Sequence, residues 1–252
     1  MIVRRVVADI GNSRLKWALV NPGGGLGATV PLPLDAPSRW AQVWDEWQLG
    51  EEASTEWAVS SVNPPAAERL ASFLATRPVR RATWFQTASD VPIEMDVEGA
   101  DTGGADRALA VLATLRLLPP GRPGLVVSCG TAITIERITI ERVWQGGVIA
   151  PGLFLSARAL HLLTAQLPLV TPNATAPAWG RSTEPSLEAG VFWGAVGALR
   201  ELLARQTPDL GGEPFTVWTG GDAPLLAGIV SGGEARVVPD LVLHGLAAAG
   251  FN

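Results

Sequence analysis

Asp9-Ile10-Gly11-Asn12-Ser13-Arg14-Leu15-Lys16 closes one apolar run, Ile2 to Ile10, and opens a second, Leu15 to Val20. An apolar run, a glycine with short amide and hydroxyl residues, and another apolar run predict strand, tight turn, strand. The pattern returns about half a chain later. Val127-Ser128-Cys129-Gly130-Thr131-Ala132 also ends an apolar run in glycine and a small hydroxyl residue, before an alternating segment from Ile133 to Val143. Each half also mixes strands with helices. The echo therefore predicts an α/β chain of two similar halves, 1–118 and 119–252, facing each other across a cleft, with the break near Pro119 to Pro123.

Outward from these turns, tryptophans 40, 44 and 47 recur at helical spacing between Ser38 and Leu49 and read as core-facing anchors of an amphipathic helix. Trp57 to Val62 reads as a strand, and Asn63-Pro64-Pro65 opens the next helix. Arg107 to Leu118 is alanine- and leucine-rich, introduced by Gly103-Gly104-Ala105-Asp106 and ended by Pro119-Pro120-Gly121, which predicts a helix. Further strands are expected over Leu125 to Cys129 and Phe215 to Trp218. Helices are expected over Leu153 to Leu167, Leu187 to Leu203, Ala223 to Ile229 and Leu241 to Ala249.

Composition removes several function classes. The chain has 252 residues, 47% of them hydrophobic, with net charge −5, which excludes a disordered chain and allows one large domain or two small ones. Of its 19 basic residues 18 are arginine; Lys16 is the one lysine, and there are ten tryptophans and no tyrosine. An acidic chain with scattered arginines argues against nucleic-acid binding. A single Cys129 excludes an internal disulfide and a cysteine-built zinc site, and fits a reducing compartment. No apolar run approaches the ~18 residues of a membrane span, and the N-terminus reads as a strand rather than a signal peptide, so a soluble, cytoplasmic protein is expected. His161 and His244 lie in apolar helical segments without a sequence neighbour for metal binding or catalysis, and read as structural.

Three turns carry the candidate chemistry. In the first hairpin, successive backbone N–H groups can line a concavity suited to phosphate, Asn12 and Ser13 add donors, Asp9 can hold magnesium through water, and Lys16 can supply a point charge. The same residues also suit a plain β-hairpin. Gly130-Thr131 and Thr219-Gly220-Gly221-Asp222 are two more glycine-bearing turns, where a missing Cβ lets backbone approach a nucleotide. Neither a P-loop nor a dinucleotide-binding glycine fingerprint occurs. Gly104-Ala105-Asp106-Arg107 stands at a helix start, where Asp106 reads either as a helix cap or as a general base beside an anion-binding Arg107.

These segments, taken in order, resemble type III pantothenate kinases, the Bvg accessory factor family. The resemblance rests on Asp9-Ile10-Gly11-Asn12-Ser13 with Lys16-Trp17, Ser60-Ser61-Val62, Gly104-Ala105-Asp106-Arg107, Gly130-Thr131-Ala132-Ile133-Thr134, and Gly146-Gly147-Val148-Ile149-Ala150-Pro151-Gly152. Ser182-Thr183 with Gly190, Thr219-Gly220-Gly221-Asp222 and Pro239-Asp240-Leu241-Val242-Leu243 complete it along nearly the whole chain. It implies two ribonuclease-H-like domains of the acetate and sugar kinase, Hsp70 and actin superfamily, and ATP-dependent phosphorylation of pantothenate to 4'-phosphopantothenate, the first step of coenzyme A biosynthesis. By the resemblance, Asp106 is the general base and Gly104, Arg107 and Thr183 meet pantothenate. Asp9 organises Mg2+, while Gly11, Asn12, Ser13, Lys16, Gly130 and Thr131 meet the ATP phosphates. Gly220 and Gly221 pass beside the adenosine. A homodimer and a monovalent cation, K+ or NH4+, are also implied.

The chain departs from the family pattern at informative places. Ser128 stands where the family has the aspartate that helps hold the monovalent cation, which implies weaker cation binding. Glu136 replaces a later aspartate, and the tyrosine that often precedes the Gly-x-Asp-Arg motif is absent. These departures keep two alternatives in view: a catalytically impaired homologue serving as a binding or regulatory protein, and a kinase for another small hydroxy acid.

Overall fold

The computed structural model describes residues 2–50, 53–232 and 235–251. Residues of β1 (Ile2–Ile10) alternate between two faces, and Val6, Ala8 and Ile10 point into one apolar core. β1 pairs antiparallel with β2 (Leu15–Val20), which pairs antiparallel with β3 (Val30–Leu32). After α1 (Pro37–Glu46), β4 (Ala53–Ser61) runs parallel to β1 with Asp9 opposite Ser60; after α2 (Pro64–Ala75), β5 (Val79–Phe85) runs parallel to β4. The sheet order is β3-β2-β1-β4-β5. Asn63 caps α2 by accepting from the Ala66 N–H at 3.2 Å, and Pro64 starts the helix where a missing N–H costs nothing.

Tryptophans fill this core as their spacing predicts. Trp40, Trp44, Trp17 and Trp57 are buried around Phe73; Trp44 stacks on Trp57 at 6.0 Å and Trp17 meets Trp57 edge-on at 4.9 Å. Such ring pairs add about 1 kcal/mol each beyond their burial.

The opposite face of the sheet is covered by α3 (Ala105–Leu117) and α7 (Leu241–Ala249). A Cβ on Gly245 would lie 2.2 Å from the Leu109 carbonyl oxygen, and one on Gly250 would lie 2.1 Å from Ala58 Cβ, so α7 seats closely on α3 and β4. The compact units are accordingly 1–117 with 240–252, and 118–239. The sequence division keeps everything after 118 together; the C-terminal helix instead belongs with the first unit.

The second unit repeats the strand plan. β6 (Gly124–Cys129) pairs antiparallel with β7 (Ala132–Ile138), β7 antiparallel with β8 (Trp144–Pro151), and β6 parallel with β9 (Phe215–Thr219), beside β10 (Arg236–Val237). The order β10-β9-β6-β7-β8 read backwards reproduces the first sheet strand for strand. Two mixed sheets of this order, with the connecting helices, are ribonuclease-H-like domains. α4 (Leu153–Leu162), α5 (Thr183–Gln206) and α6 (Ala223–Ser231) complete the unit.

Several elements differ from expectation. The alternating segment 133–143 ends as a strand at Ile138 and turns, with Thr139 N–H donating to Val143 O at 2.9 Å, into β8. α4 stops at Leu162 rather than 167, close before Pro168, which disfavours helix in its predecessor. α5 starts four residues early, at Thr183, and α3 starts at Ala105, which places Asp106 inside the first turn instead of at the cap.

Candidate functional site

In the first unit, register places three polar side chains in a row across three strands. Asp9 lies opposite Lys16 on β2 and opposite Ser60 on β4, and alternation puts all three on the face that α3 and α7 cover. The β1–β2 connection is tight, with Gly11 N–H donating to Arg14 O at 3.0 Å and Asn12 and Ser13 exposed at its tip.

Burial pushes the Asp9 carboxyl up from its ordinary 3.8 to about 7, and the charges of Asp106 and Asp240 push the same way against the opposing pull of Lys16 and Ser60. Ser60 is fully buried, and its hydroxyl favours the Asp9 carboxylate. Lys16 Nζ donates to Asp240 Oδ1 at 2.7 Å. Asp240 itself is raised by burial, but the Lys16 and Thr29 hydrogen bonds and the charges of Lys16 and His244 outweigh that and hold it below the usual carboxylate range.

Asp106 is placed by the chain before α3. The Ala88 N–H donates to Gly103 O at 2.8 Å, and Thr87 bridges Gly104, which pins the helix start beside the end of β5. Arg107 N–H donates to Asp106 Oδ1 at 2.9 Å. Gly104 makes room for that carboxylate, since a Cβ there would lie 2.5 Å from Asp106 Oδ1. Arg107 is half-buried. The structure thus brings Asp9, Lys16 and Asp106 into one electrostatic group and adds Ser60 and Asp240. In the sequence these two residues stand out only as members of the motifs Ser60-Ser61-Val62 and Pro239-Asp240-Leu241-Val242-Leu243. Ser60 is found by register with Asp9; Asp240 has no comparable local signal.

The second unit carries a matching row without charge. Ser128 occupies the position of Asp9, and its register partners are Thr134 on β7 and Thr219 on β9. Around it, Gly130 N–H donates to Ala132 O at 3.0 Å, Gly152 N–H to the exposed Thr131's O at 3.1 Å, and Asp222 N–H to Cys129 O at 3.0 Å. Gly220 has φ +97°, and a Cβ would meet the Cys129 carbonyl oxygen at 2.2 Å, so only glycine fits beside Gly221 at this strand end. Burial, with the Asp222 charge adding, pushes the Cys129 thiol up to about 12, which leaves it unreactive. Glu136 is buried and accepts from Trp144 Nε1 at 3.1 Å. Thr183 is the exposed first residue of α5. A cavity of about 320 Å³ between α4 and α5 is lined by Leu160, Leu187, Gly190, Gly194 and Ala198, with Ser156 and Ser186 its only polar side chains. It lacks the groups for phosphoryl chemistry.

The sequence profile of the family described as type III pantothenate kinase matches residues 5–205. The type III pantothenate kinase of Porphyromonas gingivalis (strain ATCC 33277) is 41% identical over 248 residues, covering 96% of this chain and 95% of that protein. Among solved structures, a conserved Baf family protein from Campylobacter jejuni aligns with TM-score 0.59 at 20% identity, covering 96% of both chains. The (R)-2-hydroxyglutaryl-CoA dehydratase component A of Acidaminococcus fermentans aligns with TM-score 0.55 at 12% identity, covering 99% and 96%. At these identities the structural likeness is one of fold.

Asp9 gives a stability signature. Its folded-state pKa, about 7, lies above the ordinary 3.8, so the stability it confers is full below about pH 4 and is lost as pH rises through 7. Above neutrality, ionised Asp9 costs the metal-free fold. Asp9→Asn is expected to raise the thermal midpoint of the metal-free protein by about 5 °C at pH 8. The difference closes as pH falls toward 4. Equal midpoints at pH 8 would refute the buried-charge account.

Proposed function

Because the chain belongs to the type III pantothenate kinase family, we propose that Asp106 and Asp9 divide the labour of its reaction, phosphorylation of pantothenate by ATP in coenzyme A biosynthesis. The observation that carries this is the single face of the first sheet on which α3 places Asp106 near enough for its charge to act on Asp9. Two carboxylates so close resist joint ionisation, and a cation between phosphates and Asp9 relieves that. Among the described residues no group of three or more His, Cys, Asp or Glu side chains gathers into a metal cage. The donor set therefore suits Mg2+, which keeps waters and shares phosphate oxygens. When bound, that ion supplies charge neutralisation at the phosphates.

Asp106 accepts the proton of pantothenate's primary hydroxyl as its oxygen bonds to the γ-phosphorus and the bond to the β-phosphate oxygen breaks, releasing ADP. Arg107 and Thr183 hold pantothenate, and Gly104 keeps Asp106 free to turn to it. Gly11, Asn12, Ser13 and Lys16 meet phosphate oxygens from the first hairpin, and Gly130 and Thr131 from the second; Gly220 and Gly221 flank the adenosine. Positioning and charge neutralisation are the main sources of rate in such transfers. The cytoplasm is the proposed location, because ATP is the donor and the lone Cys129 needs no oxidising compartment. Among the described residues no helix is long and apolar enough to cross a membrane.

Ser128, Thr134 and Thr219 offer hydroxyls without a charge, which does not fit a tightly held K+ or NH4+, and no step is assigned to either ion. A second copy of the chain is the proposed partner. α5 presents Gly190, Gly194 and Ala198 one turn apart beside the apolar cavity, and Phe154, Leu162, Leu163 and Trp179 are exposed in the same unit. Apolar surface of this kind marks an association site, and small residues let helices approach closely.

Asp106→Asn is expected to lower kcat by about 10²–10⁴-fold, read by ADP release with pantothenate. Retention of a tenth of the activity would remove Asp106 as the base. In the same assay the wild-type rate should change less than about twofold across a potassium series; steep activation would show that another group supplies the missing charge. Gly194→Arg, where a Cβ meets nothing within 4 Å, should convert a dimer to a 26.4 kDa monomer by light scattering. An unaltered mass would place the interface elsewhere.

A further inference from the structure

Lys16 sits in a charge conflict built into the first sheet. Register sets it directly opposite Asp9 on the same face, the separation at which oppositely charged cross-strand pairs ordinarily join. Its ammonium goes instead to Asp240, 2.7 Å away, with side-chain exposures of 33% and 21%. Among the described residues this is the lysine's only ion pair.

The carboxylate that wins Lys16 is held by independent features. Asp240 is the residue before the first turn of α7 and has φ 54°, left-handed backbone that Asp and Asn adopt more readily than other non-glycine residues. Thr29 hydrogen-bonds it, and the His244 N–H, one turn along α7, donates to its carbonyl oxygen at 3.2 Å. The close seating of Gly245 on the Leu109 carbonyl fixes the helix that carries it. The first unit therefore sets Lys16, Asp106 and Asp240 around Asp9 and commits the lysine to the carboxylate that takes no part in the proposed chemistry.

We propose that Asp240 is a positioning residue for phosphoryl transfer: it draws the Lys16 ammonium off Asp9 and leaves the other two ammonium donors for nucleotide phosphates. A lysine has three donors, so the Asp240 bond does not exhaust it. Without Asp240 the ammonium relaxes onto Asp9, its register partner, which withdraws Lys16 from phosphate and caps the carboxylate that Asp9 must offer. The proposal rests on reading the β1–β2 hairpin as a phosphate site.

The test compares wild type, Asp240→Asn, Lys16→Met and the double variant. ATP affinity is measured by calorimetry in EDTA, and ATP KM and kcat are measured with magnesium and pantothenate. Asparagine tolerates the left-handed backbone, and a thermal melt of each protein confirms folding. Asp240→Asn should weaken ATP binding about fivefold, Lys16→Met at least as much, and the double variant no more than Lys16→Met alone. The loss in Asp240→Asn should appear in the ATP KM rather than in kcat, a division that a merely structural ion pair would not produce. Wild-type affinity in Asp240→Asn, or losses that add in full, would overturn the proposal. Wild-type affinity in Lys16→Met would overturn the hairpin reading, and the proposal with it, in an arm that leaves Asp240 untouched. ATP binding without phosphorylation of pantothenate would overturn the reaction assignment alone, because the calorimetric cycle still reports on Asp240.

Discussion

The alternation of β1 is the constraint on which the first unit depends. Even-numbered Val6, Ala8 and Ile10 enter a core of stacked tryptophans, and that commitment turns Asp9 to the other face, where α3 and α7 cover it. A slip of one residue would exchange the two sets and bury the carboxylate among indoles, so the apolar core and the chemical site enforce the same register. The raised Asp9 pKa is the electrostatic cost of that placement. It stays bearable because Lys16 and Ser60 occupy the neighbouring strands at the same level.

The two sheets share one strand plan and differ along one row of three residues across it. Where the first sheet has Lys16, Asp9 and Ser60 side by side, the second has Thr134, Ser128 and Thr219. The backbone around the second row keeps its glycine-dependent turns, with Gly220 against the Cys129 carbonyl and Gly152 against Thr131. Shape is retained there while charge is lost. A neutral row can orient a ligand through hydroxyls, but its hold on a bare cation is weak.

Much of this was legible in the residues. β1, β2 and α7 have their predicted bounds because apolar runs ended by turn residues or glycine are local signals. β5 escaped notice because Val79-Arg80-Arg81-Ala82 mixes exposed arginines into a strand whose partner, β4, is distant in sequence. β8 was hidden by Gly146, Gly147 and Pro151, residues that read as a turn. In the sheet Gly147 is needed because a Cβ would lie 1.8 Å from the Ile135 carbonyl oxygen. The helix start at Ala105 puts Asp106 inside the first turn rather than at the cap, with its carboxylate accepting from the N–H of Arg107.

The sequence by itself determined the two glycine-turn hairpins, the order of the motifs and the carboxylates at positions 9 and 106, because each is encoded within a few neighbouring residues. It also singled out Lys16, the one lysine among arginines. Only the tertiary structure decided what Lys16 touches. Its partner lies 224 positions away, on a helix whose sequence reads as the tail of the second half but which packs on α3 through Gly245 and on the first sheet through Gly250. Pairing across that distance depends on how helices seat on a sheet, and no local pattern of residues carries that information.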